Sequence, residues 1–599
     1  MRASLFSFLL CAGLLPAQSI LIQNATVIDG RGTPPRTADV VISGGRIQAI
    51  GLNLTAPGAV TIDARGKTLI PGLFDLHTHV ESATVGDSGQ DWGKNLKAYL
   101  LSGVTNVADF GTYGEAFATL RSLTSRGTWP SPRLHLASRL TTPGGHGLEI
   151  GRGEIFTAEV LTPREGQAAV RRALKYKPDI IKVFTDGWRY GAAPDMTSMQ
   201  EDTLRAIVTT AHEAGLPVLT HTVTVAKGKI AARAGVDAIM HGLQDEVLDA
   251  ELIELMRRNG TTYGPTATVY EPRTTIVEPF LERVLNDASL ESLRRRPAFA
   301  EPDPRRVRKF ELLQRNTRAL YDAGIPLVTG TDSGISGTHH GWATLHELKL
   351  MVSAGIPPVE AIRAATLNAA QVLRVEKERG SIEVGKLADL VLIDGMPHSQ
   401  IDDLQRVERV WLGGVEQNLP ALTQAIEDPE PTPLGSIPAP AILDDFDRAN
   451  GRSRLDTRWI NTYEGGRDLS RALFQRIPRT GTNYAFSIQA QMSEASQPRV
   501  RMNLPLRPGG IEPMDLTAWK FLEFDARGDG QPYRLLLSRR SSKEPGSAEF
   551  SAGPRWKKVR IPLAAMNCPC SDATALVFEL ARSAGLLTWL EIDNLRVTQ

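Results

Sequence analysis

Pro71-Gly72-Leu73-Phe74-Asp75-Leu76-His77-Thr78-His79 is an apolar, strand-type run closed by two histidines one residue apart. Residues two apart on a strand share a face, so His77 and His79 can both point into one cavity and chelate one metal ion. Outward from this run, the chain repeats strand, loop and helix from residue 71 to residue 373. Strands are predicted over 72–79, 104–109, 133–138, 179–184, 217–221, 236–241, 261–265 and 326–331, with amphipathic helical stretches between them, among them 201–214, 226–234 and 251–258. Apolar strands alternating with helices in this number predict an α/β fold, a closed parallel (β/α)8 TIM barrel.

The flanks follow another rhythm. Short β-branched runs at 20–23, 38–43, 46–50 and 60–63, broken by Asn24, Gly30, Gly44-Gly45 and Gly66, predict small antiparallel strands. Matching runs return at 388–393 and 407–412, ahead of Gly413-Gly414. Residues 18–70 and 380–425 are therefore expected to form one composite β-sandwich around a barrel of residues 71–379. The proline-rich stretch 426–440 reads as a semi-rigid linker. Beyond it, 441–599 alternates like an all-β domain, with strands at 521–526, 533–538, 558–561, 575–580 and 589–597. The stretch 269–316, Arg-rich and broken at Pro302 and Pro304, exceeds a plain connection and reads either as a lid or as a solvated insertion.

Composition narrows the function. With 42% hydrophobic and 23% charged residues, the 599-residue chain has an ordinary globular balance. Its 68 Lys and Arg against 67 Asp and Glu leave a formal charge of +1, no footprint for nucleic acid or an anionic membrane. At the start, Met1-Arg2, an apolar run over 5–15 and Pro16-Ala17-Gln18 describe a signal peptide of residues 1–17. The run is too short to span a bilayer comfortably, so an exported protein is expected, periplasmic or extracellular, with a retained anchor as the alternative. Once the signal is removed, Cys568 and Cys570 remain. A bridge between them would close a very small ring, so they are expected as loop cysteines without a disulfide, weak metal binding being the alternative.

Further polar residues interrupt apolar strands. Lys182 stands inside Pro178-Asp179-Ile180-Ile181-Lys182-Val183-Phe184, where an unpaired ammonium is costly. Burial lowers such a lysine's pKa, and the neutral amine can take up carbon dioxide as a carbamate that bridges two metals. The alternative is a lysine that snorkels or pairs with Asp179 or Asp186. His221, His241 and Asp332 each fall where a predicted strand meets its following loop, the face on which barrel enzymes place their sites. His146 in a Gly-rich loop, His340 after the eighth strand and Tyr263 at the end of the seventh are candidate substrate contacts, with loop-shaping or core roles as alternatives. Asp75 is a candidate partner for orienting a ligand. His135, His212 and His346 read as structural histidines.

Together His77-x-His79, Lys182, His221, His241 and Asp332 resemble the binuclear metal site of amidohydrolases. The likeness is greatest to the branch of Xaa-Pro dipeptidases, imidazolonepropionase-like proteins and ochratoxin-type amidases. Thr142-Pro143-Gly144-Gly145-His146-Gly147, Gly330-Thr331-Asp332 and Gly385-Lys386-Leu387-Ala388-Asp389-Leu390-Val391 support it, over roughly residues 20 to 415. The resemblance implies that His77, His79 and Asp332 hold one metal and His221 with His241 the other, a Lys182 carbamate bridging both. Zinc suits the donors, with manganese or nickel open. Two such cations, about 3.5–4 Å apart, would activate a shared water and polarise a carbonyl, with Asp332 moving the proton as general base and acid. Many relatives carry a second histidine two residues after His221, where this chain has Val223. The expected activity is hydrolysis of C–N bonds in a small-molecule amide or peptide: dipeptides, N-acyl amino acids or cyclic amides. A lactonase or esterase on the same site is the alternative, as is a non-catalytic surface binding protein.

Asp444-Asp445-Phe446, Trp556-Lys557-Lys558-Val559 and Glu591-Ile592-Asp593-Asn594-Leu595 are similar to the CIA30 and carbohydrate-binding jelly-roll group, galactose-binding-like in fold. That likeness leaves a glycan or a protein as the partner of the C-terminal domain, and Trp459 and Trp556 as either sugar platforms or core residues.

Overall fold

The computed structural model describes residues 19–80, 92–148, 156–187, 197–272, 277–295, 303–335, 337–427, 434–463, 470–542, 544–567 and 570–599. The expected signal peptide and the centre of the expected linker lie outside them.

Seven parallel strands form the barrel wall: β1 (Leu73–Thr78), β2 (Val104–Asp109), β3 (Arg133–Thr141), β4 (Ile180–Phe184), β5 (Val218–His221), β6 (Ala238–Met240) and β7 (Thr262–Gly264). Neighbours in sequence are neighbours in the sheet throughout. The eighth position is not a regular strand. Residues 326–333 close the ring through single bridges, Tyr263 to Leu327 and Thr78 to Ser333, with Val328 N donating to Tyr263 O at 2.9 Å and Leu76 N to Thr329 O at 2.9 Å. Phe74, Leu76, Ala108, Ala137, Ile180, Leu219, Ala238, Met240 and Val328 fill the interior. A second apolar layer, including Val107, Ile181, Val183, Ile239 and Tyr263, packs under the surrounding helices.

Local sequence sets those helices. Pro163–Ala173 starts with a capping box: the Thr162 side chain accepts from Glu165 N, and Glu165 Oε2 accepts from Thr162 N at 3.0 Å. Pro163 opens the first turn, and Gly166, Ala169, Val170 and Ala173 make one buried stripe. Of the stretch 269–316, Leu281–Val284 and Asp287–Arg294 are helical, and Pro304–Asp322 is a long helix that reaches past its end.

Both flanks join one eight-stranded sheet. Leu390–Ile393 pairs antiparallel with Thr68–Pro71, stitching the returning piece to the first. The expectation of purely antiparallel strands fails here, since Ile20–Val27 runs parallel to both Val60–Asp63 and Thr68–Pro71.

Two further sheets enclose the C-terminal core of Leu443, Val500, Met502, Leu535 and Phe578. Arg471–Thr480, Asn483–Gln491, Arg499–Pro505 and Gly546–Ser551 are strands beyond those predicted. Ile437–Pro438 pairs with Met514–Asp515, and Ala439 is buried in the same core, so the sandwich begins within the predicted linker. The expectation of cysteines without a bridge also fails: Cys570 is disulfide-bonded, while Cys568 lies outside the described residues. Against the barrel, Arg452 grips Glu115 with two hydrogen bonds of 2.8 and 2.7 Å, and Tyr113 donates to the Gly509 carbonyl.

Candidate metal centre

The ligand candidates gather at one mouth of the barrel, but two reach it only through local backbone departures. Phe74 and Leu76 face the interior, so strict alternation would turn His77 outward. The β1–β2 register slips between Asp75 and Thr78, and such a bulge re-aims the side chains after it. The His77 ring consequently lies 4.9 Å from that of Phe110 and 4.5 Å from that of His241. On β6, Ala238 and Met240 face inward, leaving His241 to follow outward. A φ of 84° turns it back, and its ring stands 4.2 Å from that of His221.

Asp332, also left-handed with φ 59°, places Oδ1 3.2 Å from His77 Nε2 and 2.9 Å from His79 Nε2. These three side chains offer ligand atoms all within 4.8 Å of one another. His77, His221 and His241 are held neutral, their pKa values well below the usual range. Burial is the main cause, followed by neighbouring cations and imidazoles such as Lys182 beside His77.

Lys182 is 1% exposed. Its cross-strand neighbour is Arg139 on β3, and its Nζ stands 4.5 Å from the Phe110 ring centre and 5.6 Å from that of Phe184. Asp179 and Asp186, the carboxylates that the sequence offers as its partners, are engaged elsewhere. Asp179 accepts from Arg121 at 2.7 Å and Leu136 N at 2.8 Å, and Asp186 from Val223 N at 2.7 Å and Thr224 Oγ1 at 2.8 Å. Burial brings the Lys182 ammonium down to about 7, Asp332 pulling it upward and Arg139 pushing it lower.

Nδ1 of His77, His79 and His241 and Nζ of Lys182 are buried without a hydrogen-bond partner. Buried polar atoms are nearly always satisfied, and these unsatisfied ones sit on side chains of which two, His77 and His79, meet the Asp332 carboxylate through Nε2, an N/O donor set suited to borderline divalent cations. The residues present fit a metal centre.

Asp75 touches no imidazole. It accepts from His77 N at 3.2 Å, Thr331 N at 3.1 Å, Thr331 Oγ1 at 2.7 Å and Thr344 Oγ1 at 2.8 Å. It thereby ties β1 to the segment bearing Asp332, and burial raises its carboxyl to about 6. His146 stacks on Phe184 at 5.3 Å, 4.1 Å from the His221 ring, and so belongs to the mouth. His340 Nε2 lies 3.2 Å from the His79 carbonyl oxygen, against the ligand strand's backbone. Tyr263 is placed differently from a substrate contact. Fully buried on the helix side of β7, it accepts Leu243 N at 3.1 Å through its hydroxyl. His135, His212 and His346 engage Asn106, Asp237 and Glu271.

Two residues at the site escaped sequence reasoning. Arg139, 2% exposed, donates to the carbonyls of Phe110 at 2.7 Å and Phe156 at 3.3 Å. The signal that singled out Lys182, a cation on an apolar strand, would have found it. Tyr270, its ring 6.0 Å from that of His241, lies on a short helix after β7 and carries no comparable local mark.

A parallel barrel with histidines, a lysine and a carboxylate at one mouth has the architecture of a metal-centred enzyme. Residues 68–416, more than half the chain, match the Amidohydrolase family, and the chain belongs to that family of hydrolases acting on carbon–nitrogen bonds. It is 26% identical to ochratoxinase from Aspergillus niger over 442 residues, covering 66% of this chain and 86% of that protein. It is 26% identical to imidazolonepropionase from Symbiobacterium thermophilum over 404 residues, covering 64% and 89% respectively. Among solved structures, a Xaa-Pro dipeptidase with bound methionine in its active site aligns with a TM-score of 0.55 and 28% identity, over 67% of this chain and all of that one. Among the described residues, no helix is long and apolar enough to cross a membrane.

Proposed function

We propose that the chain is an exported, binuclear metal-dependent amidohydrolase that cleaves the C–N bond of a small amide or peptide. One observation carries this reading: Lys182 is fully buried, its amine unsatisfied, on the interior face of the barrel that also receives His77, His221 and His241. A neutral amine there adds to carbon dioxide and releases one proton, giving a carbamate anion. Such an anion, with His77, His79, His221, His241 and Asp332, would complete a site for two divalent cations, zinc by its donor set.

Bound cations would supply Lewis-acid polarisation of the scissile carbonyl and an activated water. The chain's own groups supply the rest. Asp332 has one carboxylate oxygen within 3.2 Å of both His77 and His79, where it can take a proton from the attacking water and return it to the leaving nitrogen. His146, stacked on Phe184 and beside the His221 ring, stands where a donor would meet the substrate carbonyl or carboxylate. Two residues after His221 stands Val223 rather than a second histidine, so the contact such a histidine makes is missing here or supplied by another residue.

The test is Asp332→Asn. Turnover of amides from an N-acyl amino acid, Xaa-Pro dipeptide and lactone panel should fall at least about a thousandfold, consistent with losing a general base and acid. Competitive binding of the same amides should survive in part. Unchanged turnover, or parent protein prepared with zinc that holds no metal, ends this reading.

A further inference from the structure

Glu347 is a fully buried carboxylate that the proposed chemistry leaves unused. It lies on the helix Trp342–Ser353 and is 0% exposed. Among the described residues no ion pair reaches it. Instead three donors converge on it: Ala267 N at 2.8 Å, Thr268 N at 2.7 Å and Thr268 Oγ1 at 2.6 Å. Burying a carboxylate without a cation is unfavourable, and burial pushes this one up to about 7. An apolar side chain would pack the position at lower cost, so what sets the carboxylate apart is the three donors it holds.

Those donors open the segment that follows β7. Thr266, immediately before them, has φ 50°, a conformation a β-branched residue keeps only when its surroundings over-determine it. Thr266 Oγ1 receives the backbone N–H of His241 at 3.3 Å, and Gly264 O receives it at 3.0 Å. His241 is the ligand candidate turned inward by its own φ of 84°. The same segment ends at Tyr270, which packs beside Gly242, where an added Cβ would meet its ring at 3.4 Å.

We propose that Glu347 is a positioning residue for the His241 half of the metal centre. Its carboxylate fixes Ala267 and Thr268, these fix Thr266, and Thr266 holds the main chain of His241 in the conformation that aims its imidazole at the second metal. This rests on the binuclear reading above. One helical turn earlier on the same helix, Thr344 serves the other half through Asp75, so the two supports rest on different hydrogen bonds.

The experiment is Glu347→Gln in the full chain, loaded with zinc and dialysed against graded chelator, with bound zinc counted. The glutamine amide keeps one acceptor but turns an NH2 group toward donors. Parent protein should hold two equivalents. Glu347→Gln should keep one equivalent at the parental affinity and bind the other, the second, about 10–100-fold more weakly, the usual effect of removing a supporting contact around a ligand. Thr268→Val, which removes one donor at nearly constant shape, should shift the second equivalent in the same direction by less, and it decides the matter if Glu347→Gln does not fold. Thr344→Val should leave that equivalent unmoved. Both equivalents unchanged, or both weakened together, overturns the assignment. Fewer than two equivalents in the parent overturns the binuclear reading itself.

Discussion

Replacing Lys182 by methionine should stabilise the metal-free protein while destroying its capacity for paired metals. The amine is 1% exposed and has no hydrogen-bond partner, and burial brings it from an ordinary 10.5 to about 7. That displacement corresponds to about 5 kcal/mol against folding below pH 7, where the unfolded chain keeps the proton that the folded chain resists. The penalty falls to about 3 kcal/mol at pH 8 and vanishes as pH rises through the unfolded value of 10.5. Methionine has similar length and no charge, although the variant forfeits contacts with Phe110 and Phe184 of about 1–2 kcal/mol. The net gain should therefore be about 3–4 kcal/mol at pH 6 and smaller at pH 8. Urea unfolding in chelator and bicarbonate-free buffer measures it, followed by helical circular dichroism, to which the all-β C-terminal unit contributes little. Bound zinc should drop below two equivalents in the same variant. A Lys182→Met protein less stable than the parent at both pH values, or one that still binds two equivalents, refutes the reasoning.

Gly334→Ala should disable the site from a distance, because Gly334 has φ 101° and an added Cβ would come 2.2 Å from the His79 carbonyl oxygen. The expected loss is about 1–3 kcal/mol of stability together with weakened zinc retention; normal retention would show that the ligand strand tolerates displacement. At the join between barrel and sandwich, Glu115 and Arg452 side chains are 8% and 21% exposed. A double-mutant cycle with Glu115→Ala and Arg452→Ala should return a coupling of about 1–3 kcal/mol in chemical unfolding. A coupling near zero would mean that the sandwich is held by its other contacts, among them the Tyr113 hydrogen bond to Gly509.

How far the sequence reaches can be judged from single residues. Lys182, His221 and Asp332 were legible because a polar side chain inside or at the end of an apolar strand is a local anomaly, visible without a fold. The alternating strands of the barrel and of the C-terminal unit were legible for the same reason, since side-chain period follows from backbone geometry. His77 and His241 were legible as residues but not as geometry. Tyr263 looked like a site residue only because strand ends lie near the mouth; its side of the strand, shared with Ile239, is set by register.

By itself, then, the order of amino acids determined the kinds of element, their alternation and the chemical identity of the donors, all properties that neighbours in the chain impose on one another. Only the tertiary structure decided that β1 bulges before His79, that His241 takes a left-handed turn, that residues 326–333 close the ring without a regular strand, and that Glu347 reaches residues 79 and 80 positions away. Each of these is a strained or unpaired state of the local chain. It persists because hydrogen bonds and packing from distant segments outweigh the local preference, and that balance exists only after the segments have met.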